Sequence, residues 1–205
     1  MSLTRLATRR QVLGGALAAA AGTAGGAAGI SLLAADPAMA DAPVSDAEAL
    51  SKALMLERLM VLAYRRVLQS GALAPNIQRA IAPYLGHEIE HISAVAAALA
   101  AMGAEAATGP LDLKTAGDML SKHNIPVSLT DLHSQKDCMR LLVDLESLCE
   151  GVYFTALKTL RTAGLQRLAA QIMSCEAQHW TAVSGLRNPG EYVKAIPWPF
   201  VTGNS

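Results

Sequence analysis

The sequence predicts an all-α protein, an antiparallel four-helix bundle made of two hairpins joined by a long crossover. Three observations carry that prediction. The 205-residue chain is 52% hydrophobic but only 4% aromatic, a composition that suits helices packed closely through Ala and Leu better than a sheet sandwich. Four long segments repeat apolar residues every three or four positions. Short Gly- or Pro-bearing breaks separate the first from the second and the third from the fourth, while about thirty residues separate the second from the third.

The first forty residues are read apart from the fold. Thr8-Arg9-Arg10-Gln11-Val12-Leu13 precedes an Ala- and Gly-rich run reaching Ala35, and Ala38-Met39-Ala40 forms a small-x-small cleavage pattern before Asp41. This resembles a twin-arginine export signal, with Val12 where Phe is usual and Gly14 where Lys is usual. The competing reading is an uncleaved anchor, since the run is long enough to span a bilayer. Export by the twin-arginine route implies a periplasmic or other extracytoplasmic, oxidising location. Loss of Arg5, Arg9, Arg10 and Asp36 with the leader takes 17 basic and 17 acidic residues to 14 and 16, a net of −2. No basic run is present to attract a phosphate backbone, so nucleic acid is not expected as a partner.

Residues 41–187 then hold the bundle. The first helix is expected from about Ser45, with Glu48 three residues on as in a capping box, to about Gln69. Ser70-Gly71-Ala72-Leu73-Ala74-Pro75 is a short turn, so the second helix returns antiparallel and stops near Met102 at Gly103. The third covers roughly Ser134–Thr162 with Gly164 in the turn, and the fourth ends near Leu186, before Asn188-Pro189-Gly190. The crossover carries Pro110, Pro126 and a short helix near Lys114–His123. Residues 188–205, with Trp198-Pro199-Phe200, are expected as an extended tail over the bundle surface.

Charged residues fall on the apolar stripes. Glu57 shares a face with Ala53, Met60, Tyr64, Val67 and Leu68; Glu88 and His91 with Tyr84, Val95 and Ala98. Glu146 lies with Leu142, Tyr153 and Leu157; Glu176 and His179 with Leu168, Ile172 and Val183. A buried Glu needs a partner, and four converging carboxylates repel unless cations neutralise them. Glu57 and Glu88 centre on position 72.5, and Glu146 and Glu176 on 161, each close to its own turn. Both arms are about sixteen residues, or roughly 23 Å, so all four carboxylates can reach one level.

The two hairpins repeat each other. Leu56-Glu57 with Tyr64 seven residues on matches Leu145-Glu146 with Tyr153 seven residues on. Glu88-Ile89-Glu90-His91 matches Glu176-Ala177-Gln178-His179, and the two Glu of each half are 31 and 30 residues apart. One Glu-x-x-His is weak; two copies with a matched preceding Glu and Tyr are not.

On these residues the chain resembles the ferritin-like di-iron carboxylate superfamily, which includes rubrerythrins and bacterioferritins, over about residues 45–186. The resemblance implies two iron ions, or manganese, held by Glu57, Glu88, His91, Glu146, Glu176 and His179. In it Glu57 and Glu146 are terminal ligands and Glu88 and Glu176 bridge. Tyr64 and Tyr153 stand beside the site, although aromatics at stripe positions also serve simply as core. The implied chemistry is oxidase- or peroxidase-like, with O2 or H2O2 as the small-molecule substrate. No rubredoxin-like Cys-x-x-Cys delivers electrons, so the electron donor is external and unnamed by the sequence, and a homodimer is compatible with the resemblance. The alternative of a different class is a non-catalytic metal-binding or stress-associated envelope protein.

A further reading takes His87-Glu88-Ile89-Glu90-His91 as a zinc metalloprotease motif, with His87 and His91 on zinc and Glu88 as base. The second half has no matching His pair, and that reading leaves Glu57, Glu146 and Glu176 buried without purpose. Glu150 is either a seventh carboxylate near the site or, more commonly for its type, a solvated charge. Glu90, His123 and His133 read as surface or loop residues. Cys149 and Cys175 are level on the last two helices, as a disulfide or as free thiols.

Overall fold

The computed structural model describes residues 45–196 and Gly203; the export-signal and cleavage-site readings fall on residues 1–40, outside the described residues. Six helices and no strand are found among the described residues: α1 (Asp46–Gln69), α2 (Pro75–Ala101), α3 (Leu113–Lys122), α4 (Gln135–Thr159), α5 (Ala163–Arg187) and α6 (Tyr192–Ala195). None of them is long and apolar enough to cross a membrane.

Local chemistry sets the boundaries. The Ser45 hydroxyl accepts the Glu48 amide at 3.1 Å, capping α1. Pro75 sits in the first turn of α2, where its missing N–H costs nothing. At the other end of α2 the Gly103 amide donates to Ala100 and the Ala104 amide to Leu99, with Gly103 at φ 73°. That paired closure needs a left-handed residue, which glycine adopts without a Cβ clash. Asn124, at φ 55°, closes α3 in the same way. The Ser134 hydroxyl accepts the Asp137 amide to open α4.

The second hairpin turns earlier than expected. α4 ends at Thr159 and Gly164 lies inside the first turn of α5, so the turn is Leu160–Thr162. Buried Leu160 takes an extended conformation there. Asp46 at the start of α1 accepts the Arg161 amide at 2.9 Å and the Thr162 hydroxyl at 3.0 Å. A carboxylate from another helix thus fixes the turn, with no need for a glycine. The tail also departs from a purely extended course, because Tyr192–Ala195 forms one turn of helix after the Asn188-Pro189-Gly190 break. Gly203, at φ 65°, lies so close to α4 that a Cβ would meet the backbone of Ser147, Glu150 and Gly151.

α1 packs on α2, α4 on α5, α1 on α4 and α2 on α5, a closed ring of four. Tyr64 reaches Glu146, and Tyr153 reaches Glu57; both pairs centre on position 105, so α1 and α4 run antiparallel. The diagonal pair α2 and α4 is therefore parallel, and the chain between them must travel the length of the bundle, roughly 37 Å for a 25-residue helix. Leu111, Ala116, Leu120, Ile125, Leu129 and Leu132 of this crossover are buried in the main core. Arg58 donates to the Gly109 carbonyl at 2.8 Å and Arg66 to the Leu129 carbonyl at 3.1 Å, tying the crossover to α1.

Candidate metal centre

Each helix of the ring delivers one carboxylate to its middle because the apolar stripe that drives packing includes that position. Glu57, Glu88, Glu146 and Glu176 are fully buried, and His91 and His179 are 9% and 2% exposed. All six residues expected as ligands therefore meet in one place.

Their atoms divide into two matching sets. His91 Nδ1 lies 2.9 Å from Glu176 Oε1, 3.4 Å from Glu88 Oε2 and 3.6 Å from Glu57 Oε2. His179 Nδ1 lies 3.0 Å from Glu88 Oε1, 3.3 Å from Glu176 Oε2 and 3.7 Å from Glu146 Oε2. Glu88 and Glu176 each give one oxygen to either set, while Glu57 and Glu146 serve one set apiece. These eight atoms are buried with no aligned hydrogen-bond partner among the described residues. Buried polar atoms are normally satisfied, and eight orphans in two groups of four form two cages of lone pairs. Metal–ligand bonds of about 2.1 Å place neighbouring donors about 3.0–3.4 Å apart, and the observed spacings fall around that range. The donor set fits two divalent ions with bridging carboxylates.

The remaining oxygens are occupied by the tyrosines. Tyr64 donates to Glu146 Oε1, and Tyr153 donates to Glu57 Oε1 at 2.5 Å. A tyrosine two turns along its own helix lies about 10 Å from its own Glu, so each reaches the carboxylate of the other hairpin. Both phenols are buried; burial, then the neighbouring carboxylates, pushes them well above their ordinary range. They stay protonated and able to donate.

The electrostatics without metal show the load on the cluster. Burial, partly countered by His91, holds Glu57 well above the usual carboxylate range, and Glu146 likewise against His179. Burial acts on Glu176 in the same sense, but His179 and His91 outweigh it and bring Glu176 down to about 2. Both histidines are raised: burial opposes their charge, and Cys175 with the surrounding carboxylates overcomes it. The cluster as a whole retains protons where no cation neutralises it.

The helical stretch as a whole matches a known family. Residues 45–189 fit the model described as Ferritin-like domain. The chain belongs to the ferritin-like domain family. Among solved structures, the ferritin-like fold is shared with the crystal structure of a conserved hypothetical protein, rv2844, from Mycobacterium tuberculosis. The likeness has a TM-score of 0.56 at 21% identity, covering 71% of this chain and 99% of that one. No curated protein matches.

Other expectations resolve around this ferritin-like core. Glu150 is not solvated: it is 2% exposed, one carboxylate oxygen lacks a partner, and burial with the Glu176 charge raises it to about 7. Glu90 and His133 are exposed and His123 is half-buried. Cys138, Cys149 and Cys175 are free. Burial, then the carboxylates, pushes the Cys149 thiol well up. Cys175 is instead drawn down to about 7 by His179 and His91. His87 does not group with His91 as a protease pair would. Its Nδ1 lies 2.9 Å from His179 Nε2, while Glu88 sits inside the carboxylate cages. Tyr84 stacks on His179 at 4.3 Å between ring centroids. The grouping of His87 and Cys175 was missed from sequence, although each immediately precedes a matched Glu.

Proposed function

We propose that this ferritin-like chain is an exported di-metal oxidoreductase, binding two iron ions, or manganese, and acting on O2 or H2O2 with electrons from an external donor. The observation that supports it is the division of eight unpartnered buried donor atoms into two equivalent cages that share Glu88 and Glu176. Two redox ions bound there would supply the pair of electrons that splits an O–O bond.

The chain's own residues have definable tasks in that reading. Glu88 and Glu176 would hold both ions, and Glu57 and Glu146 would each complete one cage. Tyr153 and Tyr64 fix one oxygen of Glu57 and Glu146, leaving the other directed inward. Leu56, Leu59, Leu145 and Leu148, near Glu57 and Glu146 in sequence, are buried as well, which keeps this level of both helices from bulk water. His91, at 9% exposure, lies nearest solvent of the six. The twin-arginine leader agrees with loading before export, since that route carries folded proteins.

The test is the metal content of the purified mature chain beside a Glu88→Ala, Glu176→Ala double variant. About two iron or manganese ions per chain, lost in the variant and accompanied by oxidation of the loaded protein by O2 or H2O2, is the expected result. Loading without turnover under any reductant would favour a non-catalytic metal-binding protein. Failure to load after anaerobic reconstitution would overturn the reading.

A further inference from the structure

Outside the carboxylate cages, on the face where α2 meets α5, three donor atoms converge that the proposed function does not use. His87 Nδ1 is 2.9 Å from His179 Nε2, Cys175 Sγ is 3.5 Å from His179 Nε2, and Cys175 Sγ is 4.0 Å from His87 Nδ1. The placement follows from the duplicated architecture. His87 precedes Glu88 as Cys175 precedes Glu176, and α2 and α5 are antiparallel neighbours, so the two residues face each other just outside the bridging carboxylates. His179 joins them because Cys175 lies one helical turn before it.

We propose that His87, Cys175 and His179 form a second, solvent-reachable metal site for a borderline divalent ion of the zinc class, distinct from the buried carboxylate pair. Thiolate and imidazole donors suit such an ion, whereas the cages beneath, each three carboxylate oxygens and one His Nδ1, suit iron or manganese. Tetrahedral zinc, with Zn–N of about 2.05 Å and Zn–S of about 2.3 Å, sets N···N near 3.4 Å and N···S near 3.6 Å. Both N···S separations lie within about 0.4 Å of that figure, and the N···N pair opens by about 0.5 Å through rotation of His87, whose side chain is exposed. The fourth position faces outward and takes water.

The ligands run from exposed His87 through half-buried Cys175 to buried His179, so an ion reaches this site without crossing the carboxylates. His179 presents Nδ1 inward to Glu88, Glu146 and Glu176 and Nε2 outward. With both sites filled, its ring bridges two ions, and the Nε2 proton is released to solvent. Tyr84, stacked on that ring, holds its plane in the orientation that serves both sides.

Cobalt(II) is the probe, because a thiolate ligand gives a charge-transfer band in the near ultraviolet that carboxylate and imidazole ligands do not. Titration of the full mature chain should produce that band, its final intensity that of about one thiolate-bound cobalt per chain, and zinc should bleach it. Cys175→Ser should abolish it, and His87→Ala should weaken the cobalt affinity that it reports by about tenfold or more. Cys149→Ser and Cys138→Ser should keep it. Glu57→Ala, which damages a buried cage but no outer ligand, should lower total bound metal with the band intact. Failure of the buried centre is thus separable from failure of this site. No thiolate band in the parent chain, a band surviving Cys175→Ser, or affinity unchanged by His87→Ala with circular dichroism showing all variants folded, would each overturn the proposal.

Discussion

Tyr153→Phe removes one oxygen atom from the core and nothing else. The Tyr153 hydroxyl lies 2.5 Å from Glu57 Oε1, and both residues are fully buried. No other hydrogen bond reaches Glu57 among the described residues, since its second oxygen has no partner. Deleting the hydroxyl therefore leaves a carboxyl oxygen with neither water nor protein, at about 1.5–3 kcal/mol for a hydrogen bond to a charged group. The phenyl ring still fills its space, so no cavity cost is added. At about 1.4 kcal/mol per tenfold, manganese or anaerobic ferrous affinity should fall roughly 10- to 100-fold, as for other groups that orient ligands. The metal-free protein, in which burial holds Glu57 well above the usual carboxylate range, should lose less, about 0.5–1.5 kcal/mol for a neutral hydrogen bond, or about 1–6 °C in melting temperature for a domain of this size. Binding calorimetry and thermal unfolding of the two proteins measure both effects. Tyr64→Phe should behave alike, because Tyr64 holds Glu146 in the mirrored contact. If both variants kept affinity and stability within about 0.5 kcal/mol of the parent, the tyrosines would be packing groups, and the argument from the orphaned oxygens would fail.

Two further outcomes follow from the electrostatics. Glu150 is raised from 4.5 to about 7 by burial; its folded value lies above its unfolded one, so stability falls as pH rises from about 4.5 to 7. Glu150→Gln should stabilise the protein at pH 8 by about 1–2 kcal/mol, the upper bound of about 3 being reduced by relaxation and water penetration around the charge, and should do little at pH 4; equal effects at both values in urea titrations would refute this. In the metal-free protein Glu57 and Glu146 are raised, and so are His91 and His179. The folded state therefore holds more protons than the unfolded one above about pH 4.5, with the histidine part added above about 6.5. Glu176, lowered to about 2, opposes this only below 4.5. Melting temperature should decline from pH 5 to 8 without metal, and added manganese should raise it more at pH 8 than at pH 5, with about 2.7 kcal/mol gained at 100 times Kd. A flat metal-free profile, or larger protection at pH 5, would count against a proton-holding cluster.

The bundle and the meeting of the four Glu and two His residues were legible because both are written in periodicities. The stripe that places Ala53 or Leu142 in the core also places Glu57 or Glu146 there, and arm lengths measured from two turns give the common level. Boundaries set by contacts between distant segments were less legible. Gly164 reads as the turn residue by local rules, yet Asp46, more than a hundred residues away, accepts the Arg161 amide and settles the turn. Glu150 reads from sequence either as a seventh carboxylate or as a solvated charge, because a carboxylate one turn beyond another gives no sign of what covers it. The exchange of tyrosines between hairpins did leave a signal: at seven residues' distance neither can touch its own Glu, and the two crossed pairs share one midpoint.

The near-equality of the two cages has a consequence for any difference between the ions they would hold. Corresponding donor distances agree within 0.1 Å: 2.9 and 3.0, 3.4 and 3.3, 3.6 and 3.7. In each set the closest contact is to the bridging Glu of the opposite hairpin. Ligand type and ligand geometry therefore give neither position an advantage. What differs lies just outside, where the duplicated halves no longer match: Cys149 and Glu150 follow Glu146 at the offsets where Met60 and Val61 follow Glu57, and Cys175 stands where the first half has His87. Tyr84 stacks on His179, and its counterpart in the second half is Ile172. These groups break the symmetry outside the ligands: Tyr84 and His87 lie against His179, while Cys149 lies under the influence of Glu57 before the other carboxylates, and groups outside the ligands set affinity and redox character once the ligands are equal. Inequality between the two ions would have to arise from these residues, which meet the two cages unequally.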